Sequence, residues 1–183
     1  MSSKPKRTLR LMGRLRVRPI LPKDRDAWVR LRHELWPKYS IEELARDANK
    51  VLSSRENGQM WRTSMLATVL LAEAEAEGPV GFAEVDLRPY ADGCRSSPVG
   101  YLEGWYVRPG FRRSGVGRTL VRAAEEWALE QGCREMASDT EVGNKTSQRA
   151  HQALGYQQVD RLVHFRRDLK TPYKGSGVAP RYP

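Results

Sequence analysis

A chain of 183 residues with 39% hydrophobic side chains suits one domain with a real core. Its formal net charge is +10, yet residues 1–18 carry seven basic and no acidic side chains and residues 161–183 carry six basic and one acidic, so the body between them is near −2. No run of about 18 apolar residues offers a membrane span, the basic N-terminus lacks the apolar stretch of a secretory signal, and no Cys/His cluster has metal-ligand spacing; neither membrane nor metal is expected.

Along the body the elements alternate. Leu15–Pro19 reads as a short strand, and residues 23–36 put Trp28, Leu31 and Leu35 on one helical face before Pro37 stops it. Ser40 and Glu43 have the spacing of a capping box, which opens a second helix. Residues 64–73 and 80–87 read as strands parted by a Glu77-Gly78-Pro79 turn, residues 90–98 as a polar loop, and residues 101–107 as another strand. Residues 116–131 form an amphipathic helix with Val116, Leu120, Ala124, Trp127 and Ala128 inward. A strand over 133–140, a helix over 146–154 and a final strand or hairpin over 159–168 complete an α/β order with a mixed sheet. The expected organisation is a basic arm over 1–14, one domain over 15–170 and a Pro- and Gly-rich tail over 171–183. Cys94 and Cys133 are read as buried thiols of a cytoplasmic chain. The basic ends are open to two readings, contact with nucleic acid or a solvated extension; nucleic acid is not the expected partner.

The most telling stretch is Arg112-Arg113-Ser114-Gly115-Val116-Gly117, between a strand and a helix. Two glycines let backbone approach a ligand, and the unpaired N–H groups of the helix start favour an anion. With Arg118, the stretch reads as a pyrophosphate cradle. It is not a Walker loop, which needs Gly-Lys-Ser/Thr, nor a dinucleotide fingerprint, which needs G-x-G-x-x-G early in a βαβ unit. The order Arg-x-x-Gly-x-Gly resembles the coenzyme A motif of the GNAT superfamily of N-acetyltransferases, whose element order this chain also follows. The resemblance implies the GNAT acetyltransferase fold, a mixed central sheet with helices on both faces.

A closer resemblance follows from Leu35-Trp36-Pro37, Gly93-Cys94 with Ser96-Ser97-Pro98, Leu102-Glu103-Gly104, the run Gly-Cys-Arg-Glu-Met-Ala-Ser-Asp-Thr over 132–140, and His-Gln-Ala-Leu-Gly-Tyr over 151–156. Together these look like the bacterial aminoglycoside 6′-N-acetyltransferases. The resemblance implies acetyl-CoA as cosubstrate, an aminoglycoside acceptor and antibiotic resistance. It also implies a homodimer, with exchange of the last strand as one arrangement; periodicity is silent on that.

Carried onto this chain, the coenzyme site comprises Trp105, Tyr106 and Val107 as a strand edge, Arg112 to Arg118 around the pyrophosphate, and Asn144 for the pantetheine arm. An acceptor with several ammonium groups needs carboxylates and aromatic faces. Glu103 is costly in its apolar run unless it meets water or a cation. Asp139 stands at a strand end, where ligands of open α/β sheets collect, and Asp160 falls where the family carries an acid. Trp36 and Tyr90 are the candidate aromatic faces. Glu103 is expected to hold the amine and accept its proton. His151 stands where many superfamily members have a Tyr that protonates the leaving thiolate; it could serve so, or could be a hydrogen-bonded histidine packing helix to sheet. The alternative functions are acetylation of a protein N-terminus or another polyamine, and a non-catalytic coenzyme- or nucleic-acid-binding protein.

Overall fold

The computed structural model describes residues 14–56 and 66–168; the expected basic arm, the expected tail and the first residues of the expected 64–73 strand lie outside them. Five strands, β1 (Leu15–Pro19), β2 (Thr68–Ala74), β3 (Gly78–Arg88), β4 (Val99–Val107) and β5 (Met136–Ser138), form one sheet in sequence order. The first four are antiparallel and β5 runs parallel to β4, so the sheet is mixed as expected. Helices α1 (Arg25–Leu35) and α2 (Ile41–Glu56) cover one face, and α3 (Val116–Glu130) covers the other. Helix α4 (Lys145–Ala153) follows β5.

Local chemistry explains most boundaries. The capping box forms in both directions: Ser40 N–H donates to Glu43 Oε2 at 2.8 Å, and Glu43 N–H donates to Ser40 Oγ at 3.2 Å. Helix α3 buries Val116, Leu120, Val121, Ala124 and Ala128, the i, i+4 ladder of a helix with one core face. They pack on Ala83, Val85, Leu102 and Val107, while Trp28, Leu31, Leu44 and Ala48 pack on Val69, Leu71, Phe82 and Tyr106 across the sheet. Strands β2 and β3 are buried on both faces, which is why they read as near-continuous apolar runs.

Four expectations need correction. The β2–β3 turn falls earlier than Glu77-Gly78-Pro79, since Gly78 and Pro79 already pair with Ala74 and Glu73. Strand β5 spans three residues rather than the expected 133–140, because only Gly100 to Leu102 of β4 lie beside it. Residues 159–168 form no strand: they run irregular and exposed, without a strand neighbour among the described residues. Of the two free cysteines, Cys133 is buried but Cys94 is only partly so.

Beneath the α1 face lies a carboxylate that periodicity does not distinguish. Glu84 of β3 is 2% exposed and accepts from Trp28 Nε1 at 2.8 Å. Arg32 Nε lies 3.0 Å from the same oxygen, Oε1, and its guanidinium carbon stands 5.2 Å from the Trp28 ring centre and 5.4 Å from that of Trp36. One buried charge pair thus ties α1 to the middle of the sheet, at a site where removal of either partner costs about 3–5 kcal/mol. Burial pushes the Glu84 carboxyl up to about 7, against the lowering influence of Arg32 and the Trp28 N–H. The native carboxyl therefore holds its proton more tightly than the unfolded one, near 4.5. That preference favours the native state at low pH and is lost as pH rises through the window from 4.5 to 7. Urea unfolding at pH 5 and pH 8 should show wild type losing on the order of 1–3 kcal/mol more than Glu84→Gln over this interval; an equal pH dependence in both would contradict the assignment.

Candidate functional site

The site begins where two strands part. Strands β4 and β5 pair over Gly100↔Met136, Tyr101↔Ala137 and Leu102↔Ser138, after which β5 ends and β4 continues to Val107 with β3 as its one strand neighbour among the described residues. At the parting point β4 carries one extra residue: Glu84 pairs with Gly104 and Val85 with Leu102, leaving Glu103 as the bulge. The β-bulge frees Glu103 from the regular alternation, and the open edge beyond it offers main-chain N–H and C=O groups to an extended ligand.

Past Val107 the chain makes a short 3₁₀ turn over Pro109–Phe111 and enters the Gly loop. Arg113 adopts φ +61°, a left-handed conformation that costs about 1–2 kcal/mol in a residue with a Cβ. Gly115, at φ +96°, caps α3 without such a cost. Successive turns of this kind direct N–H groups to one side, beside the positive end of α3. Arg113 and Arg118 are exposed there. Arg112 has a second duty: its Nε donates to Val107 O at 2.8 Å, and its guanidinium lies 5.4 Å from the Tyr106 ring centre, which fixes the loop to the end of β4. Gly117 proves to be required by packing rather than by ligand approach alone. A Cβ there would lie 2.8 Å from Cζ2 of Trp105, whose indole runs beneath the start of α3.

On the other side of the parting point an open cleft of about 1050 Å³ is lined by Arg88, Tyr101, Glu103, Ser138, Asp139, His151 and Asp160, among others. Glu103 and Asp139, 36 positions apart in the chain, meet through two intermediaries. Tyr101 O–H donates to Asp139 Oδ1 at 3.1 Å, and the Arg88 guanidinium lies over the Tyr101 ring while its Nε donates to Glu103 Oε1 at 3.1 Å. Burial holds the Glu103 carboxyl above the ordinary carboxylate range, although Arg88 pulls it back. Burial, together with Asp139, pushes the Tyr101 phenol up to about 12.

Other expected site residues sit less centrally. Asp160 reaches the cleft rim, where its Oδ1 accepts from Arg161 N–H at 2.6 Å. Tyr90 is 65% exposed and donates to Asp92, itself a lining residue, at 2.8 Å. Trp36 belongs to the α1 core, with Cη2 only 2.8 Å from where a Cβ on Gly104 would stand. Asn144 caps α4, its Oδ1 accepting from Ser147 N–H at 3.0 Å, which leaves its carboxamide N–H groups for a ligand. His151 has both ring nitrogens engaged, Nδ1 with Ser147 O at 2.9 Å and Nε2 with Ser138 Oγ at 3.0 Å. Its ring meets Trp105 and Tyr156 edge-on. Ser138 also donates to Leu102 O at 3.0 Å, so this chain of contacts reaches the residue before Glu103. In the structure His151 serves the packing of α4 onto the sheet.

Three residues of the site are not among the sequence candidates, although Glu135 lies within the 132–140 run. Arg88, Tyr101 and Glu135 gain their positions from the β3–β4 register and from a loop. Glu135 accepts from Arg95 N–H at 2.8 Å and from Ser96 N–H and Oγ at 2.6 Å, clasping the loop that holds Asp92 and Cys94; these bonds hold its carboxyl below the ordinary range.

Comparison with known proteins shows the family and the fold. The family model described as Acetyltransferase (GNAT) family matches residues 28–156. The chain is 42% identical over 153 residues to aminoglycoside N(6′)-acetyltransferase type 1 of Klebsiella aerogenes, covering 84% of this chain and 96% of that protein. The Stenotrophomonas maltophilia protein of the same name is 42% identical over 157 residues, covering 84% and 94%. The solved structure of AAC(6′)-Iy in complex with the bisubstrate analogue CoA-S-monomethyl-acetylneamine superposes with a TM-score of 0.74 at 34% identity, covering 85% of this chain and 99% of that one.

The contact beneath the Gly loop can be tested directly. Gly117→Ala should cost about 1–3 kcal/mol through displacement of Trp105 and weaken CoA binding, read by thermal shift and by titration with CoA. A variant with unaltered melting and affinity would remove Trp105 from the account of the loop.

Proposed function

This chain belongs to the GNAT acetyltransferase family, and from that premise we propose that it transfers acetyl from acetyl-CoA to the 6′-amino group of aminoglycoside antibiotics, conferring resistance on its bacterial host. The observation that carries the acceptor class is the cleft beside the open edge of β4, lined by Glu103 and Asp139 with Asp160 at its rim. A polycationic sugar needs this: one carboxylate near the reacting amine and others for more distant ammonium groups. The likeness in sequence and structure to aminoglycoside N(6′)-acetyltransferases supports the same acceptor.

In this reading both substrates are held together and the amine attacks the thioester directly. Acetyl-CoA supplies the acyl group. Main-chain groups of Trp105, Tyr106 and Val107 hold the pantetheine arm, with an N–H donor near Val107 for the thioester oxygen. The residues from Arg112 to Arg118 surround the pyrophosphate, and Asn144 offers its N–H groups to the arm. Glu103 orients the 6′-amine and takes its proton, directly or through water, as the N–C bond forms and the C–S bond breaks. The thiolate takes a proton from water, since His151 is engaged by Ser147 and Ser138.

We also infer a homodimer that works in the cytoplasm, where acetyl-CoA is available. The support for self-association is the segment after α4, where Val159, Leu162, Val163 and Phe165 are 63%, 56%, 76% and 93% exposed. Such a strip is what a second copy would cover. Sedimentation should find a dimer in wild type and a monomer in Phe165→Asp; a wild-type monomer would reject the inference.

Two measurements test the reaction. Thiol release from acetyl-CoA should require an aminoglycoside with a 6′-amine and fail with a 6′-hydroxyl; activity on both refutes the regiochemistry, and activity on neither refutes the acceptor class. Glu103→Gln should lower kcat/KM for the aminoglycoside about 10²–10³-fold with the KM for acetyl-CoA unchanged. Because burial raises the Glu103 carboxyl, the acid limb of the wild-type profile should lie above the ordinary carboxylate range and vanish in the variant. A persisting limb would show that another group accepts the proton.

A further inference from the structure

Glu103 is paired within the chain itself. Two N–H groups of Arg88 converge on its Oε1, Nε at 3.1 Å and Nη2 at 2.5 Å. The guanidinium carbon also lies 3.3 Å from the centre of the Tyr101 ring. A cation therefore occupies both features of the cleft that would attract an ammonium group, a half-buried carboxylate and an aromatic face. We propose that Arg88 is the resident counter-ion of the acceptor site, holding the place of the 6′-ammonium on Glu103 and Tyr101 and yielding it when the substrate binds. This rests on the reading of Glu103 as the amine-holding carboxylate.

Exposure separates this pair from both structural ones, and the way the carboxylate is gripped separates it from Arg18–Asp24. Arg32 and Glu84 are 12% and 2% exposed at the side chain, and Arg18 and Asp24 are 10% and 8% exposed, so both structural pairs are largely shut off from water. Arg88 and Glu103 are 34% and 19% exposed, so the guanidinium can turn into solvent at small cost while the carboxylate still needs a cation. Arg18 grips both oxygens of Asp24, whereas Arg88 uses a single oxygen of Glu103 and forgoes the two-oxygen fork that makes arginine–carboxylate pairs strong. Acetylation turns the 6′-ammonium into a neutral amide. The ammonium first releases one proton to solvent, the second leaves to Glu103 as the N–C bond forms, and the thiolate takes one from water. The product then no longer competes for Glu103, and Arg88 returns to it as the product leaves. The exchange is cation for cation, so Glu103 keeps a counter-ion before and after the substrate binds.

Isothermal titration of the full chain with neamine and with 6′-N-acetylneamine tests the proposal. Arg88→Met should bind neamine about tenfold more tightly than wild type while its affinity for the acetylated compound is unchanged. Unaltered or weaker neamine binding would overturn the proposal, and an equal gain for both ligands would reduce Arg88 to a steric plug and overturn it too. In wild type labelled with ¹⁵N-arginine, the Arg88 Nε signal, identified by its loss in Arg88→Lys, should move on addition of neamine and stay with acetylneamine. A stationary signal with neamine would overturn the proposal without recourse to a destabilised variant. Glu103→Gln separates the two levels: if it binds neamine as wild type does, the amine-holding reading fails, whereas lost affinity there with no gain in Arg88→Met fails the counter-ion alone.

Discussion

Strand β5 accompanies β4 only as far as Leu102↔Ser138, and from that point β4 has β3 on one side and an open edge on the other. Much of the site depends on this parting. Unpaired main-chain groups are expensive when buried and serviceable when a ligand can reach them, so an edge opened in mid-sheet is a place made for an extended polar molecule. The bulge at Glu103 stands at the fork and puts a carboxylate between the edge and the cleft. Beyond the far end of β4, the Arg112 bond to Val107 O fixes the Gly loop at the end of the same edge.

The charged groups divide by what they do for the fold and for the cleft. The Glu84–Arg32 pair lies under two tryptophans and joins α1 to β3, where a free charge would cost more than the pair returns. The carboxylates on the cleft side remain partly wet. Desolvation raises Glu103 without neutralising its attraction for a cation, and Asp139 is held in place by the Tyr101 hydroxyl. A sheet that is buried on one side of β4 and solvated on the other thus supports a rigid frame and an adaptable ionic surface within a few residues.

The legible part of the fold was the part written in local chemistry. The capping box at Ser40 and Glu43 and the apolar ladder of α3 each depend on residues a few positions apart, and each formed as expected. The final strand over 159–168 did not form. Its apolar residues satisfy a strand pattern, but a strand also requires a neighbour, and no alternation within the segment states where that neighbour is. Strand β5 was overextended for the same reason, because its length is set by how far β4 stays beside it.

By its sequence alone the chain determined the order of elements from β1 to α4 and marked the Gly loop and the acidic positions at 103, 139 and 160 as candidates for the site, since motif, cap and periodicity are properties of near neighbours. Tertiary structure decided which of these share a cleft. It packed the partly buried Trp36 against the α1 core, engaged the nitrogens of His151 with Ser147 and Ser138, and brought Arg88 onto Glu103 through a bulged register that no local pattern encodes. The physical reason is that a side chain's partner is chosen by strand register and layer packing, which join residues that may be far apart in the chain.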